Sequence, residues 1–270
     1  MPDPSLLILI PAYNEERRID PVLRDYAGFF QKNYSGKFRI FVVLNGCTDN
    51  TLGVVQRVAA DFPEVRALEF RGAIGKGGAL IEGLRLAAVG DRIGYTDADG
   101  ATPPHAFLDL VKRINGADCV IGSRWIPGAI IHQSQTGKRQ FASRVFHFIV
   151  QLLFWLDIRD TQCGAKVMKR EVVEKIHDHL LIADMAFDIN LLVAIKRAGF
   201  KILEVPTEWT DQIGSKVTLT RTSLTMFLSV VRVRLIYWPW IYRLLRPLGP
   251  LEGWIYKKLR APKPLSAPKK

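Results

Sequence analysis

Short apolar runs alternate with helical patterns through the first half of this chain. The runs are rich in Val, Ile, Leu and Phe, and each ends in polar or glycine-bearing residues, as buried strands do. They cover residues 6–10, 38–44, 65–70, 92–96 and 118–122. Helical spacing is found over residues 15–32, 49–61, 76–89 and 103–115. This alternation predicts an α/β fold, a mainly parallel sheet flanked by helices, with ligands at the carboxyl ends of the strands.

Two aspartates, Asp97 and Asp99, follow the fourth apolar run one residue apart. Carboxylates at the end of a buried strand can share a divalent cation while the strand stays in the core. The spacing therefore predicts a metal–diphosphate site. An ordinary acidic turn is the alternative for these residues taken alone.

Two further strand-end loops carry small and polar residues. The first, residues 11–16, leads straight into a helix, so its backbone donors and Tyr13 can face a nucleotide. Glu15 in the same loop can accept hydrogen bonds from sugar or base donors. The second, residues 45–51, also fits an Asx turn that caps the following helix.

The loop at residues 71–78 places glycines and Lys76 at the start of a helix. Backbone N–H groups at such a position suit a phosphate. The loop lacks the spacing of a P-loop and is not G-x-G-x-x-G, so neither an ATPase nor a dinucleotide oxidoreductase is supported.

Taken in order, the four loops resemble those of the family 2 glycosyltransferases of the GT-A fold. The motifs are P-A-Y-N-E, N-G-C-T-D-N-T, G-K-G-G-A and D-A-D-G-A-T. The resemblance continues through G-S-R at 122–124, D-T-Q-C-G at 160–164, F-D at 187–188, E-V-P at 204–206 and G-S-K at 214–216. It extends over residues 5–240 and looks most like the dolichyl-phosphate β-glucosyltransferases, within the branch that loads sugars onto polyprenyl phosphates.

The resemblance implies an inverting hexosyltransferase that uses UDP-glucose and a polyprenyl or dolichyl phosphate. Donor binding is implied for Pro11, Ala12, Tyr13, Glu15, Asn45, Lys76, Asp97 and Ala98. Catalysis is implied for Asp99, Arg124 and Asp160, with Mg²⁺ or Mn²⁺ on Asp97 and Asp99. The acceptor side is implied for Arg139, Gln162, Ser215 and Lys216. Asp188 and Trp209 match more loosely, since an acid at the start of a helix is often only a cap.

Two positions depart from the family pattern. Asn45 stands where the family commonly has an Asp that contacts the base, which leaves the base preference open because an amide can also accept from a base N–H. Ala101 stands where mannosyl-phosphate-dolichol synthases have a Gln as an extra metal ligand. This departure favours UDP-glucose over GDP-mannose.

The chemistry expected of such a site is mostly electrostatic. A divalent cation would neutralise the diphosphate leaving group as a Lewis acid, with help from Lys76 and Arg124. A lipid phosphate is already an anion, so it needs no strong general base. It needs cations that bring two anions together, for which Arg124, Arg139 and Lys216 are the candidates.

Two apolar stretches follow the loop at residues 123–138. The first, residues 141–156, carries a single polar stripe and fits either a core helix or a helix lying on a bilayer; the stripe is Ser143, His147 and Gln151. The second, residues 222–242, has its longest uncharged run over 222–231, far short of the roughly 18 residues that a spanning helix needs. We therefore do not expect it to be transmembrane.

The carboxyl-terminal stretch 243–270 holds eight Lys or Arg residues and one acid, so it carries +7 of the chain's formal +12. Several aromatic residues lie beside this charge, a composition typical of contact with an anionic membrane. Nucleic acid is the competing polyanion and a solvated tail the other alternative; we expect no nucleic acid. The domains expected are a catalytic unit over 1–218, an amphipathic membrane-facing segment over 219–258 and a basic disordered tail over 259–270.

The three cysteines are odd in number and far apart, which argues against a disulfide framework or a zinc site and for a reducing compartment. The start of the chain has no basic region before its first apolar run, so no signal peptide is expected. These features predict a peripheral protein on the cytoplasmic face of a membrane.

Other functions remain open on the sequence. They are transfer from GDP-mannose, transfer to a non-lipid glycan, and a non-catalytic nucleotide-sugar-binding protein on the same fold. Retention of both aspartates argues against the last.

Overall fold

The computed structural model describes residues 2–133, 137–210 and 219–237. The strands are β1 (Leu6–Ala12), β2 (Phe38–Asn45), β3 (Val65–Phe70), β4 (Arg92–Tyr95), β5 (Cys119–Ser123), β6 (Ile130–Gln133), β7 (Lys166–Lys169), β8 (Ile202–Pro206) and β9 (Glu208–Thr210). The helices are α1 (Ile19–Asn33), α2 (Thr51–Asp61), α3 (Gly75–Leu84), α4 (Pro104–Arg113), α5 (Gly137–Phe154), α6 (Arg170–Ile176), α7 (Phe187–Arg197) and α8 (Leu219–Ile236).

Within the described residues, seven strands form one sheet in the order β3-β2-β1-β4-β7-β5-β8. Its pairs are parallel except that β7 runs antiparallel to both β4 and β5. A small parallel sheet pairs β6 with β9. The predicted α/β class and mainly parallel sheet are confirmed, and the five predicted strands end within two residues of those observed.

Helix α1 begins at Ile19, four residues later than predicted. Asn14 has a positive φ of 55°, and the backbone N–H groups of Arg18 and Ile19 close a turn on the carbonyl of Glu15. The residues before Ile19 therefore stay outside the helix and face the strand ends. The loop predicted over 123–138 is wrong in part, because it contains β6 and the start of α5.

The core lies on both faces of the sheet. Along β1, Leu6 and Leu7 point to opposite faces and both are fully buried, as a central strand of a doubly covered sheet requires. On the face of α1, α2 and α4, the ring of Phe30 lies 5.6–6.3 Å from five aromatic rings, among them Tyr26 and Phe107. Truncating such a side chain to Ala costs about 3–5 kcal/mol. Helices α3, α6 and α7 cover the other face.

Helices α5 and α8 pack beside α7, through Val150 on α5 and Val230 and Val233 on α8. Of the predicted polar stripe of α5, Gln151 is half-buried and donates to the carbonyl of Ile158 at 2.7 Å, whereas the side chain of Ser143 lies outside what the structure describes. The outward face is apolar, with Phe148 67%, Leu152 64% and Trp155, which follows the helix, 82% exposed. In the part of the chain that the structure describes, no helix has both the length and the hydropathy to cross a bilayer. The predicted tail 259–270 lies outside the described residues, as does most of 219–258 beyond α8.

Candidate active site

The loops after β1 and β2 lie side by side because the two strands are neighbours in the sheet. The backbone N–H of Glu15 donates to Thr51 Oγ1 at 2.9 Å, and that of Thr48 donates to Asn14 Oδ1 at 2.8 Å. These bonds hold the loops together and leave Tyr13 half exposed. Pro11 and Ala12 are buried at the end of β1, so their side chains belong to the core.

The carboxylate of Glu15 is already paired. Arg18 Nε and Nη2 donate to its two oxygens, each at 2.8 Å, and the Glu15 side chain is only 14% exposed. The predicted role of Glu15 in donor binding stays a prediction, and the ligand would have to share this carboxylate with Arg18.

Asn45 connects the second and third loops. Its Oδ1 accepts from the backbone N–H groups of Ile74, at 2.6 Å, and Gly75, at 3.0 Å. Both lone pairs of the amide oxygen are then in use, and the Nδ2 donors remain for a base. Sequence reasoning did not anticipate that Asn45 fixes the start of the glycine-rich helix.

Lys76 and Asp97 form an ion pair at the centre of the site, with Lys76 Nζ 2.5 Å from Asp97 Oδ1. Burial opposes the charge on Lys76, but the carboxylate of Asp97, and then that of Asp188, raise the Lys76 pKa above its ordinary value. Helix α3 docks closely on residues 182–187: a Cβ on Gly77 would lie 2.4 Å from the carbonyl oxygen of Ile182. This contact holds Lys76 against the aspartates.

Asp99 lies half-buried beside Asp97, with Oδ1 accepting from the backbone N–H of Ala101 at 3.0 Å. Burial and then the charge of Asp97 raise the pKa of Asp99. Two carboxylates that repel each other fit a divalent cation, which would relieve that repulsion. Ala98 and Ala101 are buried in the core.

No group of three or more His, Cys, Asp and Glu side chains within residues 2–133, 137–210 and 219–237 has the arrangement to hold a metal ion. A cation on Asp97 and Asp99 would therefore need oxygens from its substrate to complete its coordination.

Arg124 and Asp160 form a second ion pair close to the first. Arg124 Nε and Nη2 donate to the two oxygens of Asp160 at 2.7 and 2.8 Å, while its guanidinium lies 4.9 Å from the ring centre of Trp209. Burial opposes ionisation of Asp160, but the hydrogen bonds and charge of Arg124 lower the Asp160 pKa overall. Glu204 accepts from the backbone N–H of Asp160 at 2.7 Å and so fixes the loop.

The two ion pairs meet through Gly164. A Cβ on this glycine would lie 2.1 Å from Asp97 Oδ2, so only glycine permits the 160–164 loop to approach Asp97 this closely. Beside them, the backbone N–H of Thr210 donates to the carbonyl of Ala101 at 2.9 Å. The structure thus brings Lys76, Asp97, Asp99, Arg124 and Asp160 into one site at the carboxyl ends of the strands.

Gln162 belongs to the same loop, and its backbone N–H donates to Asp160 Oδ1 at 3.3 Å. Its side-chain Nε2 and the Nε1 of Trp209 are buried without a hydrogen-bond partner. Three other residues are predicted for the acceptor side. Ser215 and Lys216 lie outside the described residues, as does the side chain of Arg139 in α5.

Sequence reasoning missed Lys166 and Tyr95, which lie beneath the site. Lys166 is fully buried on β7 with Nζ 2.5 Å from Asp188 Oδ1, and the hydroxyl of Tyr95 donates to the same carboxylate. Burial opposes ionisation of Asp188, but Lys166 and then Lys76 lower its pKa. The one signal in the sequence was a lysine beside the apolar residues Val167 and Met168.

The model of the glycosyl transferase family 2 matches residues 7–177. The dolichyl-phosphate beta-glucosyltransferase of Dictyostelium discoideum is 32% identical over 247 residues, which are 86% of this chain and 74% of that protein. The enzyme of the same name from Saccharomyces cerevisiae is 29% identical over 259 residues, 88% of this chain and 76% of that protein. Glycosyltransferase AglD of Haloferax volcanii is 33% identical over 228 residues, 83% of this chain but only 36% of AglD. The chain thus spans about a third of AglD's length.

Solved structures share the fold at lower identity. Glucosyl-3-phosphoglycerate synthase from Mycobacterium tuberculosis, in complex with Mn²⁺, UDP and phosphoglyceric acid, has a TM-score of 0.62 at 18% identity, covering 86% of this chain and 78% of that one. Mannosyl-3-phosphoglycerate synthase from Rubrobacter xylanophilus has a TM-score of 0.63 at 19% identity, covering 86% and 74%. The predicted GT-A fold is confirmed.

Proposed function

The chain belongs to glycosyl transferase family 2, and on this premise we propose that it transfers glucose from UDP-glucose to a polyprenyl or dolichyl phosphate, with inversion at the anomeric carbon. The names of the two eukaryotic relatives support this acceptor and this sugar. The observation that carries the proposal is the approach of the Arg124–Asp160 pair to Asp97 through Gly164. This approach brings the guanidinium of Arg124 close to the carboxylates of Asp97 and Asp99, which are suited to a metal-bound diphosphate.

On the donor side, Asp97 and Asp99 would hold Mg²⁺ or Mn²⁺ together with the diphosphate. Bound there, the metal supplies charge neutralisation to the departing UDP. Lys76 adds a fixed positive charge within 2.5 Å of Asp97, where the same phosphate oxygens would lie. Tyr13, half exposed at the mouth of the site, and the Nδ2 donors of Asn45 are the groups that we assign to the nucleoside.

On the acceptor side, a phosphate oxygen of the lipid attacks C1 of glucose as the bond from C1 to UDP breaks. The nucleophile is already an anion, so the step moves no proton and needs no general base. Arg124 brings the second anion to the site, and Asp160 acts through Arg124 by fixing the plane of its guanidinium. We assign Arg139, Gln162, Ser215 and Lys216 to the same acceptor side.

We also propose that the protein docks on the anionic, cytoplasmic face of a membrane through α5. Phe148, Leu152 and Trp155 form an outward apolar stripe at i, i+4 and i+7. Trp155 holds a φ of 54°, a left-handed conformation that costs a non-glycine residue roughly 1–2 kcal/mol. A tryptophan that stays exposed in a conformation of this cost supports a role in contacting the membrane.

Basic groups lie beside this stripe. Lys196 Nζ donates to the carbonyl of Trp155 at 2.8 Å, and the guanidinium of Arg197 lies 4.8 Å from the ring centre of Tyr237. The sequence that follows Tyr237, residues 238–270, is basic and contains three tryptophans. Apolar anchors with flanking cations are the combination that anionic headgroups attract.

A donor-by-acceptor panel tests the proposed reaction. Purified chain with Mn²⁺ is offered UDP-glucose, UDP-galactose or GDP-mannose, together with a polyprenyl phosphate, dolichyl phosphate or a soluble glycan, and products are identified by mass. We expect a hexosyl lipid phosphate from UDP-glucose that is lost in Asp99→Asn and kept in Asp109→Asn, whose carboxylate pairs with Arg113 on the surface of α4.

Three other outcomes would each contradict a different part of the proposal. Faster transfer from GDP-mannose overturns the donor. Transfer to the soluble glycan alone overturns the acceptor. A chain that binds no nucleotide sugar by calorimetry overturns the enzymatic role altogether.

A further inference from the structure

Lys166 is a fully buried lysine at the start of β7. Its Nζ lies 2.5 Å from Asp188 Oδ1 and donates to the carbonyl of Cys163 at 2.6 Å. Asp188 in turn accepts from the hydroxyl of Tyr95. Burying an ion pair removes two charges from water, and apolar residues of similar volume often replace such a pair without loss of stability. Fold stability alone therefore does not account for this pair.

The first connection to the site runs through Cys163. Its carbonyl, fixed by Lys166, immediately precedes Gly164, whose backbone lies against Asp97. A Cβ at Gly164 would come within 2.1 Å of Asp97 Oδ2. The hydrogen bond from Lys166 therefore sets how closely the backbone borders this oxygen.

The second connection runs through the start of α7. Asp188 lies in its first turn, and the preceding segment docks the start of α3, where Gly78 N–H donates to the carbonyl of Ala183 at 3.0 Å. Helix α3 carries Lys76, which reaches the other oxygen of Asp97 at 2.5 Å. Both oxygens of Asp97 are thus bordered by groups that are anchored to the Lys166–Asp188 pair.

We propose that Lys166 and Asp188 are a positioning pair that holds Asp97 in the orientation needed to bind a metal–nucleotide diphosphate. The pair does not touch the substrate; it acts through the Cys163 carbonyl and Gly164 on one side and through α3 and Lys76 on the other. This inference rests on the proposed function, because it assumes that Asp97 faces a metal-bound UDP.

The test separates stability from binding. Three variants are compared with the native chain: Lys166→Met, Asp188→Asn and the double variant. Thermal unfolding, the affinity for UDP with Mn²⁺ by calorimetry, and KM and kcat are measured on the full chain. Each single variant leaves one buried charge unpaired and should lower the melting temperature. The double variant removes both charges, keeps an acceptor for Tyr95, and should melt near the native temperature.

Positioning and packing then predict different results for the double variant. If the pair positions Asp97, the double variant still binds UDP–Mn²⁺ about 10–100-fold more weakly, the range typical of residues that orient metal ligands. If the pair is only structural, affinity returns with the melting temperature, and the proposal is overturned. The matched control is Lys169→Met with Asp118→Asn, a pair 2.8 Å apart at the far end of β7, which should leave UDP–Mn²⁺ affinity unchanged.

A milder variant covers the case in which the double variant does not fold. Tyr95→Phe keeps the ring and removes one hydrogen bond to Asp188, and we expect about threefold weaker UDP–Mn²⁺ binding. Native affinity in Tyr95→Phe would count against the proposal. Failure of the native chain to bind UDP–Mn²⁺ would instead overturn the proposed function.

Discussion

Arg124 makes three hydrogen bonds to Asp160, two from its guanidinium to the two carboxylate oxygens and one from its own backbone N–H at 3.0 Å. The side chain of Asp160 is 1% exposed, so Arg124 is its compensating charge. Asp160→Asn should lower stability by about 3–5 kcal/mol, the cost of breaking a buried pair, and turnover by at least about 100-fold. Urea unfolding and kcat measure the two effects. Asp109→Asn, which loses a surface pair with Arg113, should change stability by less than about 1 kcal/mol.

The same pair predicts how stability depends on pH. Arg124 lowers the pKa of Asp160 in the folded chain below its ordinary value of 3.8. Its contribution is therefore present above pH 4 and is lost as pH falls through the folded pKa, since the unfolded chain binds the proton first. Unfolding free energies at pH 7, 5 and 3 should fall less steeply in Asp160→Asn. An acid limb equally steep in the variant would show that other carboxylates set it.

Asp99→Asn should stabilise the chain while it abolishes transfer. Burial and Asp97 raise the pKa of Asp99, so its ionised form is penalised in the folded state at pH 7. Removing the charge should raise the melting temperature by about 1–3 °C and lower turnover at least about 100-fold. The gain should vanish below pH 4, where the carboxyl is protonated in both states. A lower melting temperature at pH 7 would mean that the ionised carboxylate of Asp99 stabilises the folded chain, which contradicts this prediction.

Gly164→Ala tests the close approach of the 160–164 loop to Asp97. The added methyl group would lie 2.1 Å from Asp97 Oδ2, so the carboxylate or the loop must move. We expect a stability loss of about 1–3 kcal/mol and at least about tenfold weaker UDP–Mn²⁺ binding by calorimetry. Gly28→Ala is the control, because open space surrounds this glycine in α1 and the change should stabilise the helix by about 0.5–1 kcal/mol.

Trp155→Gly should stabilise the chain and weaken its binding to membranes. Glycine adopts the left-handed conformation without strain, and the exposed ring contributes little packing. Sedimentation with phosphatidylserine-containing vesicles should fall, and native binding should weaken with salt because exposed charges are screened beyond about 10 Å at 0.1 M. Val89→Ser, which changes an exposed valine just before β4, should leave vesicle binding unchanged. Loss of stability in Trp155→Gly would show that the ring packs within the molecule.

The sequence was informative where chemistry and pattern are local. Each predicted strand is an apolar run closed by polar residues, and adjacent parallel strands bring their carboxyl ends together, so Lys76, Asp97 and Asp99 could be grouped in advance. The same reasoning could not find β7. Its four residues include a lysine at each end, and Lys166 is buried only because Asp188, twenty-two residues later, lies opposite it.

Two other interpretations depended on tertiary contacts that a local pattern does not contain. Asn45 looked like a base-binding residue, yet its oxygen holds the backbone of Ile74 and Gly75. The single polar stripe of α5 fitted either a core helix or a helix lying on a bilayer, and in the structure Gln151 bonds within the chain while Phe148 is exposed. A polar stripe indicates the solvent-facing side of a helix only when that helix lies between the protein core and water.

Strand β7 has a consequence for the growing chain on the ribosome. In the described sheet β7 lies between β4 and β5 and pairs with both, although both precede it in the sequence. Until Lys169 has been synthesised, the four strands β3-β2-β1-β4 keep an open edge on β4 that is able to pair with another nascent chain. The last strand to enter the centre of the sheet is also the one that carries Lys166, the buried partner of Asp188. An amino-terminal fragment ending at Ser123 would therefore be an aggregation-prone half-sheet rather than a smaller nucleotide-binding protein.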